Sequence, residues 1–208
     1  KLRFKYLLFS IIFICNQISF IRDYFEVGRN HQIITALDKL STTFHNGKIN
    51  VIIGISGSGK TTLLRSLIGS VLINGSITFD GIDIEPVPTA HRNISYVSQE
   101  YTLLPNNTIF ENIAFPLTLT NATNEEITER VYTIARKLSI EECLTRRPRH
   151  LSAGQRQRAA LAKALIKHSD LYLFDEPFSN LDAKHRGELR HDLRTLLLEN
   201  NATAIFVT

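Results

Sequence analysis

The sequence is poor in sulfur-containing residues. It has no methionine, and its two cysteines, Cys15 and Cys143, have no metal-type spacing within the 208 residues. Two isolated cysteines argue against a disulfide framework and favour a reducing compartment, which predicts a cytosolic location. Because methionine is missing even at position 1, we expect the numbering to begin inside a longer gene product.

The sequence also lacks a strong excess of charge of one sign and any internal repeat. Its formal net charge is +4, and its basic and acidic residues are interspersed. Such interspersed charges indicate a solvated surface and not a nucleic-acid groove, so no nucleic-acid partner is expected. The length favours one domain of ordinary size, with or without a sub-lobe.

Residues 1–17 form an unusual leader. Lys1, Arg3 and Lys5 precede an apolar run over residues 6–15, which resembles a signal peptide or a short anchor. The run is too short to span a bilayer, and no small-residue cleavage site follows it. We therefore expect either a misassigned or non-native leader, or an apolar segment that lies on a partner, in preference to an export signal.

The most informative stretch is a glycine-rich loop between a predicted strand at 49–53 and a predicted helix at 61–68. It has two glycines separated by four residues and followed by Lys-Thr, a pattern that cradles polyphosphate with backbone N–H groups at a helix N-terminus. Lys60 supplies positive charge, and the Thr61 hydroxyl is placed to bind Mg²⁺. The predicted nucleotide-binding residues are Gly54, Ser56, Gly57, Ser58, Gly59, Lys60, Thr61 and Thr62.

Two adjacent carboxylates follow a second apolar strand. Leu171–Phe174 precedes Asp175 and Glu176, which places both carboxylates at the C-terminal end of a parallel strand, where α/β sheets bind ligands. Asp175 can hold Mg²⁺, and Glu176 can polarise the water that attacks a γ-phosphate. The sequence therefore predicts a phosphoryl-transfer site.

Apolar runs alternate with amphipathic helices along the rest of the chain. This alternation predicts an α/β fold with a mostly parallel, doubly wound sheet flanked by helices, a small β layer beside the nucleotide site and a helical sub-lobe. The layout predicts turns at 46–47 and 80–81 and an N-cap at Ser152. The further predicted strands are 18–25, 37–44, 76–79, 94–98 and 204–207. Of the further predicted helices, one begins at 124, one runs from the N-cap at Ser152 through 167, and one covers 183–198. Residues 86–123 are predicted to be mainly loops around short elements.

Tyr24 and Phe25 lie upstream of the loop, where an aromatic ring can stack on adenine. An aromatic residue that only packs on an edge strand explains the same pattern equally well. Both interpretations stay open at this stage.

Five motifs occur in the order found in ATP-binding cassette (ABC) ATPases. They are the phosphate loop, Gln99, residues 151–155, residues 171–176 and residues 179–182. The chain resembles a nucleotide-binding domain of that family over residues 18–208, with a helical sub-lobe at about 100–160. The resemblance implies a P-loop NTPase fold, with a small antiparallel β layer and with ATP and Mg²⁺ as cofactors.

The resemblance also implies roles for residues outside the phosphate loop. Gln99 would contact Mg²⁺ and the attacking water. The signature Ser152-Ala153-Gly154-Gln155 would bind the ATP held by a second subunit, and Asp182 would lie near the dimer seam. The implied assembly is a dimer, most simply a homodimer, that ATP holds closed.

The chain departs from the family pattern at two points. Ala153 stands where the signature usually has glycine, and the histidine that usually follows the last strand is missing because the sequence stops at Thr208. We therefore expect a C-terminally truncated domain that binds ATP, and hydrolysis by these 208 residues stays open.

Within the family, residues 96–101, 110–117 and 175–182 resemble the importer branch, especially the ATPases of iron(III), polyamine or sugar uptake. That resemblance implies a peripheral ATPase subunit on the cytoplasmic face of the membrane. Its partners would be transmembrane permease subunits and, indirectly, a substrate-binding protein. The alternatives are a soluble ABC ATPase of DNA repair or translation and a nucleotide-binding module that does not hydrolyse ATP.

Overall fold

A computed structural model describes residues 21–22, 24–27, 33–37, 40–179 and 182–208. The leader predicted at 1–17 and the start of the strand predicted at 18–25 lie outside these residues. None of the helices in the described part of the chain is long enough and apolar enough to cross a bilayer.

The described residues form ten strands and five α-helices. The strands are β1 (Ile21–Arg22), β2 (Tyr24–Val27), β3 (Ile33–Leu37), β4 (Ile49–Ile52), β5 (Asn74–Gly75), β6 (Thr78–Phe79), β7 (Ile82–Asp83), β8 (Ile94–Val97), β9 (Leu171–Asp175) and β10 (Thr203–Val207). The helices are α1 (Lys60–Ile68), α2 (Ile109–Thr118), α3 (Asn124–Lys137), α4 (Ala153–Leu165) and α5 (Ala183–Glu199).

A parallel sheet with strand order β4-β10-β9-β8 forms the centre of the fold. In its register Val207 on β10 lies between Ile52 on β4 and Asp175 on β9. Because all these strands run in one direction, their carboxyl ends meet at one edge. The sheet therefore brings the segments after β4, β8, β9 and β10 together, and the prediction of a parallel α/β fold is confirmed.

Both faces of the sheet are covered, and this explains the continuous apolar runs in β9 and β10, which are buried along their whole length. Leu171 and Leu173 pack with α1 in one cluster. Tyr172 and Phe174 pack with α2–α5 in the other. The Phe174 ring stacks on Phe206 with centroids 4.4 Å apart.

Small antiparallel pairs lie beside the central sheet: β2 with β3, β6 with β7, and β1 with β5. The predicted turns at 46–47 and 80–81 are present. The prediction of a strand at 37–44 is wrong, because β3 ends at Leu37 and residues 40–45 have no regular structure. Leu37, Leu40 and Phe44 are spaced by three and four residues, not by the two that a strand requires, and they anchor an irregular segment on the α1 core.

Helices α2, α3 and α4 each begin with a capping box. Thr108 caps α2, Thr123 caps α3 and Ser152 caps α4, each reciprocally with the third helical residue. Helix α4 ends at Leu165, two residues before the predicted end. Helix α2 lies in the region predicted mainly as loops, and Pro116, which weakened the helical pattern there, lies close to its C-terminal end.

Arg92 fastens the C-terminal end of α1. Its guanidinium donates to four backbone carbonyls, those of Ser66, Leu67, Glu85 and Val87, at 2.7–3.3 Å. These bonds satisfy carbonyls at the helix end, where no intrahelical donor remains, and tie α1 to the loop before β8. Arg92 thus supports the helix whose other end carries the phosphate loop.

We expect Arg92→Lys to lower the free energy of unfolding by about 2–3 kcal/mol, because an ammonium group cannot donate to all four of these carbonyls. Thermal unfolding should show a Tm lower by roughly 5–10 °C. Arg130→Lys, on the exposed side of α3, is the matched control and should leave Tm nearly unchanged. Equal Tm values for the two variants would contradict this role of Arg92.

Candidate active site

The phosphate loop runs from the end of β4 into α1, as predicted. Gly57 and Gly59 have φ angles of 79° and 89°, in the left-handed region that favours glycine. A Cβ at Gly59 would lie 2.5 Å from the Ala36 carbonyl oxygen, so β3 passes too close for any side chain. The loop can therefore turn tightly and present its backbone N–H groups at the start of α1.

Lys60 folds back over this loop. Its Nζ donates to the carbonyls of Gly54 at 2.8 Å and Ile55 at 3.0 Å. The side chain is buried although it carries a charge. The ammonium is therefore held against the backbone of the loop.

Strand β10 fixes the loop and the acidic strand end relative to each other. The Gly54 N–H donates to the Thr208 carbonyl at 3.2 Å, and the Glu176 N–H donates to the Val207 carbonyl at 3.0 Å. The carbonyls of Val207, the last residue of β10, and of Thr208, directly after it, thus hold the starts of the two segments.

Asp175 connects three elements. Its carboxylate accepts hydrogen bonds from the Thr61 hydroxyl at 3.1 Å and from the Tyr96 hydroxyl at 3.1 Å, and the residue is 3% exposed. Burial, and then the charge of Asp175, raise the pKa of Tyr96 to about 12, so this hydroxyl keeps its proton at neutral pH. The structure brings Thr61 and Asp175 together, in agreement with their predicted placement at one site.

Glu176 lies next to this carboxylate in a strained backbone conformation. Its φ angle is 46°, which is unfavourable for a residue with a side chain. The Gln99 amide donates to the Glu176 carboxylate at 3.3 Å. The two predicted catalytic residues, from the ends of β8 and β9, are therefore in contact.

The signature residues form the start of α4. The Ser152 hydroxyl accepts from the Gln155 N–H, and the Gln155 side chain accepts from the Ser152 N–H. Within the described part of the chain, no residue accepts a hydrogen bond from the N–H groups of Ala153 and Gly154, and none of these four residues bonds to the phosphate loop.

The structure places the other predicted site residues around this centre. Thr62 is half-buried in the first turn of α1, and Ser56 is exposed in the loop. Asp182 is exposed before α5, where its carbonyl accepts the Arg186 N–H. Tyr24 and Phe25 lie on β2, which pairs with β3, the strand that touches Gly59.

Sequence reasoning missed Tyr96. A signal was present, because Tyr96 carries a hydroxyl group and lies in β8, a strand that the sequence predicts. In the structure Tyr96 pairs with Leu173, two residues before Asp175. The pairing of β8 with β9 was needed to see that the hydroxyl reaches Asp175, and no local pattern reveals that pairing.

Comparison with known proteins shows the family to which the chain belongs. A family model described as "ABC transporter" matches residues 37–179. The spermidine/putrescine import ATP-binding protein PotA of Haemophilus influenzae is 43% identical over 88% of this chain and 50% of its own length. The trehalose/maltose import ATP-binding protein MalK of Thermococcus litoralis is 40% identical over 84% of this chain and 49% of its own length. The chain thus spans about half the length of these curated relatives.

Among solved structures, the dimeric structure of MJ0796, described as a bacterial ABC transporter cassette, superposes with a TM-score of 0.83. It is 28% identical, and the match covers 92% of this chain and 86% of that one. A second structure of the same cassette, in a post-hydrolysis state bound to ADP and Pi, gives a TM-score of 0.81. The matched family model and the relatives at about 40% identity therefore place this chain in the ABC transporter family.

Proposed function

We propose that this protein binds and hydrolyses ATP and thereby energises an ABC membrane importer. The observation that carries the proposal is the Thr61–Asp175 hydrogen bond, which joins the phosphate loop to the acidic strand end across the sheet. Family membership supports the same function, as does the ADP and Pi named for the solved cassette neighbour.

In this proposal the phosphate loop binds the triphosphate. The backbone N–H groups of residues 54–62 and the N-terminal end of α1 present partial positive charge, and Lys60 adds a full charge beside them. The Lys60 ammonium would leave the carbonyls of Gly54 and Ile55 for phosphate oxygens. Tyr24 or Phe25 would contact the adenine ring.

The oxygen ligands in the site fit Mg²⁺. Magnesium is usually held by one or two carboxylates, phosphate oxygens and water, and the Thr61 hydroxyl and Asp175 carboxylate adjoin the phosphate loop. The described residues contain no cluster of three or more His, Cys, Asp or Glu side chains that could hold a metal alone, so the nucleotide would supply the remaining ligands. Bound there with Gln99 nearby, Mg²⁺ would neutralise phosphate charge.

Glu176 and Gln99 would orient the attacking water. The Glu176 carboxylate is half-buried at the strand end, and its backbone is fixed by the hydrogen bond to Val207. A carboxylate held in this way can accept a proton from water, while the Gln99 amide restricts its position. Phosphoryl transfer requires mainly such positioning and charge compensation.

The start of α4 would complete the site of a second subunit. The backbone N–H groups of Ala153 and Gly154, at a helix N-terminus, suit the γ-phosphate of an ATP bound by the partner, and Ser152 and Gln155 would shape this contact. Asp182 would lie at the same seam. The dimer described for the MJ0796 cassette supports this arrangement.

The importer assignment is supported by the relatives PotA and MalK, both named import ATP-binding proteins. These names favour an importer over an ABC ATPase of DNA repair or translation. The protein would act as a peripheral subunit on the cytoplasmic face of the membrane, in contact with permease subunits and only indirectly with a substrate-binding protein.

We expect Glu176→Gln to reduce the kcat of ATP hydrolysis by at least about 10²-fold, because the amide cannot accept the proton of the attacking water. Binding of a fluorescent ATP analogue should stay within about threefold of wild type, since the phosphate loop is intact. Glu129→Gln, on an exposed part of α3, is the control and should keep wild-type turnover. Hydrolysis retained by Glu176→Gln would contradict the assignment.

The proposed dimer makes a separate prediction for Gly154, which is half-exposed near the start of α4. In a Glu176→Gln background, ATP should produce a dimer in sedimentation velocity. Adding Gly154→Asp should abolish it, because a carboxylate would face phosphate. Gly187→Asp, placed where a Cβ meets nothing within 4 Å, is the control. If both aspartate variants dimerise equally, the signature does not bind the partner's nucleotide.

A further inference from the structure

The backbone carbonyl of Pro177 accepts hydrogen bonds from two side chains of distant segments. The Tyr101 hydroxyl donates to it at 3.2 Å, and the Gln157 amide donates to the same oxygen. Gln157 is 0% exposed, and Pro177 is also buried. The proposed catalytic steps use neither donor.

The two donors come from segments that carry different parts of the proposed site. Tyr101 is two residues beyond Gln99. Gln157 lies on α4, two residues beyond the signature stretch. The acceptor belongs to the residue that follows Glu176, so a displacement of either segment would be transmitted to Glu176 through one peptide group.

Both backbone segments at this contact are strained. Glu176 and Tyr101 have φ angles of 46° and 48°, in a region that residues with side chains rarely occupy. The Ser179 N–H and hydroxyl both donate to the Glu176 carbonyl, at 3.2 and 3.0 Å. Strained residues persist where surrounding contacts determine their conformation, and such strain is concentrated at functional sites.

The stability of the fold alone does not explain a glutamine at position 157. Its Oε1 is buried and has no hydrogen-bond partner among the described residues, while its Nε2 is used by Pro177. A buried carbonyl without a partner is unfavourable, and an apolar side chain of similar size would avoid that loss. Because Tyr101 also donates to Pro177, the acceptor would stay satisfied without Gln157.

We propose that Tyr101 and Gln157 are positioning residues that hold Glu176 in its hydrolytic orientation through the Pro177 carbonyl. This inference rests on the proposed ATP hydrolysis and deepens it. Tyr101 connects the Gln99 segment to Glu176, and Gln157 connects the signature helix to Glu176. Through Gln157, occupation of the partner's site would bear on the carboxylate of this subunit.

The first test is Tyr101→Phe, which keeps the ring and removes the donor. Steady-state kinetics should show kcat lower by about three- to tenfold, with KM for ATP within twofold of wild type, because the phosphate loop is untouched. Tyr172→Phe is the matched control: its hydroxyl donates to the Lys167 carbonyl at 3.0 Å, away from Glu176. That control should change kcat by less than twofold.

The second test is Gln157→Leu, which separates positioning from stability. We expect kcat to fall about three- to tenfold while Tm is unchanged or higher, since the buried Oε1 without a partner is removed. A variant with both substitutions should lose more turnover than either single variant. A purely structural role predicts the reverse for Gln157→Leu, a lower Tm with kcat retained, and that result would overturn the inference.

Glu176→Gln measured in parallel distinguishes this inference from the function on which it rests. If wild-type turnover depends on Glu176 and both Tyr101→Phe and Gln157→Leu keep wild-type kcat, the positioning role is wrong and the ATPase assignment stands. If turnover does not depend on Glu176, the proposed catalytic role of Glu176 is wrong, and the positioning role, which rests on it, is wrong as well.

Discussion

A buried carboxylate that forms no ion pair with any described residue is the constraint on which the site depends. Asp175 is 3% exposed, and the bonds it accepts come from the neutral hydroxyls of Thr61 and Tyr96. Within the described part of the chain, no ion pair reaches it. Hydroxyl groups offset part of the cost of burying the charge but do not cancel the charge itself. In the proposed function, the Mg²⁺ that accompanies a bound nucleotide would supply positive charge at this carboxylate.

The rest of the fold holds the donors of that carboxylate in place. Strand β10 lies between β4 and β9, so the phosphate loop and the acidic strand end are fixed by the neighbouring carbonyls of Thr208 and Val207 at the end of β10. Arg92 secures the far end of α1, which carries Thr61. Each contact joins segments distant in sequence, so the site forms only when the parallel sheet is complete.

The parts of the fold and site with local signals could be predicted from the sequence. The phosphate loop, the Asp175–Glu176 strand end and the Ser152 N-cap each depend on residues close together in the chain, and the structure has the loop, the strand end and the cap where they were expected. The segment at 37–44 was predicted wrongly although the spacing of Leu37, Leu40 and Phe44 does not fit a strand, and the bounds of α2 were missed because Pro116 weakened its helical pattern. Tyr96 and the contacts of Pro177 depend on strand pairing and helix packing, which a single sequence does not encode locally.

The measurement that tests the central claim most directly is calorimetric binding of a non-hydrolysable ATP analogue, with and without Mg²⁺, to wild type and Asp175→Asn. We expect Mg²⁺ to strengthen binding to wild type. Asp175→Asn should lose most of that strengthening and keep metal-free binding, because the amide has the shape of the carboxylate, and its oxygen can accept from one of the two hydroxyls while its NH₂ group donates to the other. Asp170→Asn, just before the start of the same strand, should behave as wild type. An unchanged Mg²⁺ effect in Asp175→Asn would contradict the account.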